Sequence, residues 1–216
     1  MFGYTDILQF VIILAAIVVS IILHEIAHGV VALWNGDTTA KDAGRLTLNP
    51  VSHFDLLGFL MLVVCRFGYA KPVPVNPYNF RNRKTGMITV SLAGISVNIL
   101  LAFIFYPLLI VTYTVPYLYT FNVYMVLINL NLAVFNLLPL YPLDGYRLVN
   151  CFVPSENKAM RFLRAYSRYI LLILLALGVF QSAFSLPLYF DPLSWLIRTV
   201  SYFLMDVFGL FWGLFF

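Results

Sequence analysis

Apolar residues in this chain come in runs too long for the interior of a soluble domain. The runs cover about residues 7–33, 86–114, 122–149, 165–185 and 194–215. Each supplies the ~20 residues a helix needs to cross a bilayer. Composition points the same way: of 216 residues, 62% are hydrophobic and only 10% charged, and mean hydropathy is +0.92. A soluble domain of this size needs roughly a quarter of its residues charged to cover its surface, so lipid must be the solvent here. The expected fold class is an all-α polytopic membrane protein of about five transmembrane helices. The shorter run Leu56–Cys65, at about ten residues, cannot cross as a helix and reads as a re-entrant segment or a β-hairpin. The first run lacks the basic start and small-residue cleavage site of a signal peptide and leads straight into His24, so it is expected to be a retained span.

Charge orients these spans. Residues 66–84 carry Arg66, Lys71, Arg81, Arg83 and Lys84 with no acid, and residues 147–168 carry Arg147, Lys158, Arg161, Arg164 and Arg168 against Glu156 alone. The connections 115–121 and 186–193 hold no Lys or Arg. Basic loops stay cytoplasmic, which directs the second span outward, the third inward, the fourth outward and the fifth inward. The same bias accounts for the net charge of +4. Because the basic residues flank spans and form no aromatic-interleaved patch, nucleic acid is excluded as a partner. Cys65 and Cys151 make no spaced pair, so neither a disulfide framework nor a zinc ribbon is expected.

His24-Glu25-Ile26-Ala27-His28 closes the first span. Histidines four apart share one helix face about a turn apart, and together can hold one zinc ion. Glu25 beside them is placed to take a proton from an attacking water. Ionisable groups inside an apolar span are costly unless paired or liganded, and here three fall within five residues. Zinc needs a third protein ligand. Asp144, His53, Asp55 and Asp37 are the candidates, and Asp144 is the best of them. It ends a long apolar span that has no other acid, after Pro139 and Pro142, which interrupt the helix and can leave a carboxylate free. Ligands must meet at one depth. The third span runs inward, so His24 and His28 reach the level of Asp144 only if the first span runs inward too. Residues 35–85 are then cytoplasmic and Leu56–Cys65 does not cross.

Several segments, in order, resemble one known family: Leu23-His24-Glu25-Ile26-Ala27-His28-Gly29, Gly36-Asp37, Gly44–Pro50, Ala70–Pro77, Ser91-Leu92-Ala93-Gly94, and Phe135–Pro139 leading to Pro142-Leu143-Asp144-Gly145. They resemble the site-2 protease family of intramembrane zinc metallopeptidases, and look most like its short prokaryotic members without a PDZ or CBS domain. The resemblance spans residues 20–150. It implies one membrane-embedded domain over 1–216, with a three-helix catalytic core at about 7–150 and accessory helices at about 160–216. It also implies one Zn2+ held by His24, His28 and Asp144, with Glu25 as the acid/base. The chain departs from the family at Ile95, where proline is common, and at Tyr146, where a second glycine is common. Neither position is a ligand.

On this reading the chain hydrolyses peptide bonds in or near transmembrane segments of membrane-anchored proteins, from a site near the cytoplasmic side of the cell membrane. Asn136, ahead of Asp144 on the same span, is the expected donor to the oxyanion, with Asn98 and Asn131 as rivals; all three could instead bond between helices. A transmembrane substrate must unwind before it can be cut, and an edge strand within Val63–Val75 could pair with it, unless Pro72 and Pro74 make that stretch a rigid loop. His53 reads as a loop residue. Two other functions use the same residues: a metal-binding membrane transporter, against which the lack of internal repeats counts, and a catalytically silent membrane chaperone, against which the intact Glu25 counts.

Overall fold

In a computed structural model of the protein, residues 7–53, 55, 71–154 and 156–215 are described. Five helices are long and apolar enough to span a membrane: α1 (Ile7–Trp34), α3 (Arg83–Phe105), α5 (Pro116–Leu137), α7 (Lys158–Ala183) and α8 (Pro192–Trp212). Shorter helices intervene: α2 (Thr39–Asp42), α4 (Leu108–Thr112) and α6 (Asp144–Asn150). No strand occurs among the described residues. The run Leu56–Cys65, expected to be re-entrant or a hairpin, lies outside them, as does the 63–70 part of the expected edge strand.

Proline and asparagine set the helix ends. The Asn82 side chain accepts from Thr85 N at 3.0 Å and caps α3. Pro116 and Pro192 sit in the first turns of α5 and α8, where a missing N–H costs nothing. Two of the expected spans are shorter than read. The run 86–114 breaks at Tyr106-Pro107 into α3 and α4, because the proline ring cannot continue the ladder. The run 122–149 ends at Leu137, since Leu138 precedes Pro139 and turns extended at φ −59°, ψ 136°. Asn136 and Asp144 therefore sit on different helices.

α1, α3 and α5 pack against one another in all three pairings. Their contacts give the directions. Ile13 and Ala16 pack on Tyr124 and Met125, while Ser20 meets Asn129, so α1 and α5 run parallel. His24 meets Asn98 and His28 meets Val90, so α3 runs opposite to α1. The link between α1 and α3 begins and ends at one face: Arg81 N donates to Asn35 O at 2.9 Å, and Lys71 N to His53 O at 2.9 Å. α8 covers the other side of the core, with Phe208 against Ala102, Val126 and Leu130. Trp212 Nε1 also donates to Phe103 O at 3.1 Å, and Ser201 Oγ to Asn131 Oδ1 at 3.0 Å. α7 packs on α8 and buries only Met160 and Ser167. Its Leu172, Ile173 and Val179 point outward, as a bilayer solvent requires.

Candidate metal centre

His24 and His28 leave α1 on one face, as residues four apart must, and Asp144 meets them from the first turn of α6. The Nε2 atoms of the two histidines are 3.0 Å apart. Asp144 Oδ2 lies 3.4 Å from His24 Nε2 and 3.1 Å from His28 Nε2. All three side chains are buried, and theirs is the one group of potential metal donors among the described residues. Donors held at ~2.0–2.2 Å around a tetrahedral zinc stand roughly 3.3 Å apart, close to this triangle.

Proton accounting supports the fit. His28 Nδ1 donates to Val90 O at 2.7 Å, and His24 Nδ1 bonds Asn98 Oδ1. With Nδ1 protonated on each ring, both Nε2 lone pairs face the same point as a carboxylate oxygen that has no other hydrogen-bond partner among the described residues. Three converging lone pairs need a proton or a metal cation between them, and this set of two imidazoles and a carboxylate suits a metal. Asn98 cannot turn its amide round, because Asn98 Nδ2 donates to Asn129 Oδ1 at 2.6 Å. Asn129 Nδ2 in turn donates to Met125 O at 2.7 Å and to Ser20 Oγ at 2.8 Å, whose hydroxyl donates to Ala16 O at 2.7 Å. This relay crosses all three core helices and orients His24 through its far nitrogen, as partners of metal-ligating histidines do. Gly94 makes room for the ring: a Cβ there would fall 2.4 Å from the imidazole.

A cavity of about 110 Å3 opens on the triad, walled also by Glu25, Asn136, Arg147, Pro72, Val73, Pro142 and Leu143. Glu25 accepts from Val73 N at 2.8 Å. Asn136 lines this cavity, and its Nδ2 donates to Leu132 O in its own helix at 3.0 Å. Arg147 NH1 stands 3.7 Å from Asp144 Oδ1. The rivals fall elsewhere. Asn98 serves His24, and Asn131 ties α5 to α8. His53 donates from Nε2 to Thr47 O at 2.8 Å, and neither it, Asp37 nor Asp55 belongs to the donor group.

Asp37 has a different task. Its carboxylate accepts from Thr39 N, Thr39 Oγ1, Asn76 N and Asn79 Nδ2 at 2.5–3.1 Å, tying the end of α1 to the segment that walls the cavity. Burial pushes this carboxyl up, but the hydrogen bonds prevail and hold it below the usual carboxylate value. Arg45 braces the same segment by donating to Lys71 O at 2.6 Å. Sequence reading weighed Asp37 only as a metal ligand, and passed over Asn129, Ser20 and Arg147 as functional groups. The available signals were Ser20 standing four residues before His24, and Asn98 four after Gly94.

Bilayer-length helices around a buried two-histidine, one-carboxylate site define a multi-pass membrane protein with a candidate metal centre. The chain belongs to peptidase family M50, the site-2 protease family. That family's model, Peptidase family M50, matches residues 114–178. The chain is 40% identical over 168 residues to "Putative zinc metalloprotease YwhC" of Bacillus subtilis, covering 73% of this chain and 77% of the relative. It is 32% identical to "Putative zinc metalloprotease MJ0611" of Methanocaldococcus jannaschii, over 68% of this chain and 75% of the relative. It is 30% identical to "Putative zinc metalloprotease Rip2" of Mycobacterium tuberculosis, over 76% and 66%. No solved structure matches the chain. Zinc is the metal in all three names, and the donor set here fits Zn2+. The matched segment carries Asp144, while the two imidazoles reach the site from α1, outside it.

Proposed function

We propose that this chain is an intramembrane zinc endopeptidase, which hydrolyses peptide bonds in or beside transmembrane segments of membrane-anchored proteins. The observation that carries this reading is the buried His24–His28–Asp144 triangle with Glu25 at its edge, set inside a bundle of bilayer-length helices. His24, His28 and Asp144 would hold the zinc. When bound, it supplies a Lewis acid that acidifies water and polarises the scissile carbonyl. Glu25 takes the proton from the attacking water and passes it to the leaving amine. Asn136 donates from Nδ2 to the carbonyl oxygen as negative charge develops there. Val73 N–H holds the Glu25 carboxylate at the cavity edge.

The substrate is a transmembrane helix unwound near the cut, since intact helical backbone hides its peptide bonds. The wall at 71–76 is irregular and anchored by Arg45, Glu25 and Asp37, and Pro72 and Pro74 offer no N–H. Within this stretch a rigid wall fits better than a pairing strand. The whole of 1–216 is one membrane-embedded domain, with the site near the cytoplasmic side.

The test is cleavage of a single-span model substrate by the purified, zinc-loaded protein. Glu25→Gln should lower turnover by about 10²–10⁴-fold while retaining zinc, and a chelator should abolish it. Equal turnover by wild type and Glu25→Gln would rule the reading out.

A further inference from the structure

A second cavity, of about 180 Å3, adjoins the metal cavity. Val73, Val75 and Arg147 line both. The remaining wall is Pro77 and the α3 residues Met87, Val90 and Ser91. Val90 is the residue whose carbonyl receives His28 Nδ1, so one wall of this space is in direct contact with a candidate metal donor. Its walls are apolar apart from two groups. Arg147 is held against Asp144. Ser91, 1% exposed, has a hydroxyl with no partner among the described residues. A serine inside a helix ordinarily bonds the carbonyl one turn back, so a hydroxyl left over at this wall is available to a polar atom brought by a ligand.

We propose that this second cavity is the specificity subsite for the substrate side chain next to the scissile bond, and that it takes a compact apolar side chain of leucine, methionine or phenylalanine size. The proposal rests on the peptidase reading above. The walls it shares with the metal cavity, Val73, Val75 and Arg147, place an occupant next to the reacting carbonyl. The volume sets its size, since an apolar cavity of about 150 Å3 holds a benzene ring. Charge sets its class: the Arg147 guanidinium repels lysine and arginine side chains, and its engagement with Asp144 leaves little attraction for an acid. The Ser91 hydroxyl serves the backbone that flanks the bound side chain.

The experiment varies each residue flanking the cut in a single-span substrate through Gly, Ala, Leu, Phe, Trp, Glu and Lys, and reads kcat/KM with the zinc-loaded full chain. At one of the two positions Leu or Phe should exceed Gly and Lys by roughly 10-fold or more. Ser91→Leu, which fills the cavity, should move the preference toward Ala. Val75→Ala, which widens it, should move the preference toward Trp. Opposite shifts from the two variants cannot come from damaged folding, and zinc content of each variant checks the metal site. A preference for Glu, or ratios unmoved by both variants, would overturn the subsite while leaving the peptidase reading intact. Wild type cutting no faster than Glu25→Gln would remove that reading and this one with it.

Discussion

His24 and His28 can both offer Nε2 to a cation only because each ring keeps its proton on Nδ1, and α3 supplies both acceptors. Val90 contributes a backbone carbonyl, which no side-chain substitution removes. Asn98 contributes a side chain, so it is the point at which this arrangement can be tested. Asn98→Ala should weaken zinc binding by about 10–100-fold, measured by competition with a chelator of known affinity, with helical content unchanged. Zinc affinity equal to wild type would show that the His24–Asn98 contact does not orient the ring. The two histidines and Glu25 were legible from spacing alone, because four residues on a helix is a geometric statement. The three asparagines were not separable that way. Asn98, Asn131 and Asn136 are each a polar residue in an apolar helix, and the rotation of α3 and α5 decides which of them faces the metal side.

Among the elements, the two described flanks of the α1–α3 connection, residues 36–53 and 71–79, show how a connection becomes part of a membrane site. Asp37 gathers four donors from Thr39, Asn76 and Asn79, and so holds the wall that carries Val73 and its hydrogen bond to Glu25. Removing the buried acceptor breaks four partly buried hydrogen bonds at once, so Asp37→Ala should cost about 1–3 kcal/mol, read as a lower melting temperature in detergent. The sign of the pH effect follows from the direction of the shift. The folded carboxyl titrates below its ordinary value of 3.8, so the stabilisation is complete above that value and is lost as pH falls through the lower folded value. The acid-side decline in melting temperature should therefore be shallower in Asp37→Ala than in wild type; identical slopes would remove Asp37 from this role. Gly36-Asp37 was legible as a motif, but its partners lie some forty residues on, at Asn76 and Asn79, and no local pattern joins them.

For the whole molecule, the parallel course of α1 and α5 brings the end of the first span to the level of Asp144. Combined with the basic connections, this supports the proposed placement of the site near the cytoplasmic face. With Cys65 and Cys151 replaced by serine, a cysteine at Glu156 should react with an impermeant maleimide only from the cytoplasmic side. A cysteine at the exposed Tyr113 should react only from the other side. The reverse pattern would invert the topology. Chain composition and the lengths of its apolar runs were enough to determine a bundle of membrane-spanning helices, because the hydrocarbon thickness leaves few other ways to satisfy a backbone. The H-E-x-x-H spacing likewise placed two imidazoles on one helix face with a carboxylate beside them. Tertiary structure alone decided the rest: where α3 and α5 stop, that Asp144 starts a helix of its own, that Asn98 rather than another asparagine meets His24, and that Gly94 leaves space for the ring. These depend on packing between residues about 70 to 110 positions apart in the chain, which helical periodicity within one span does not encode.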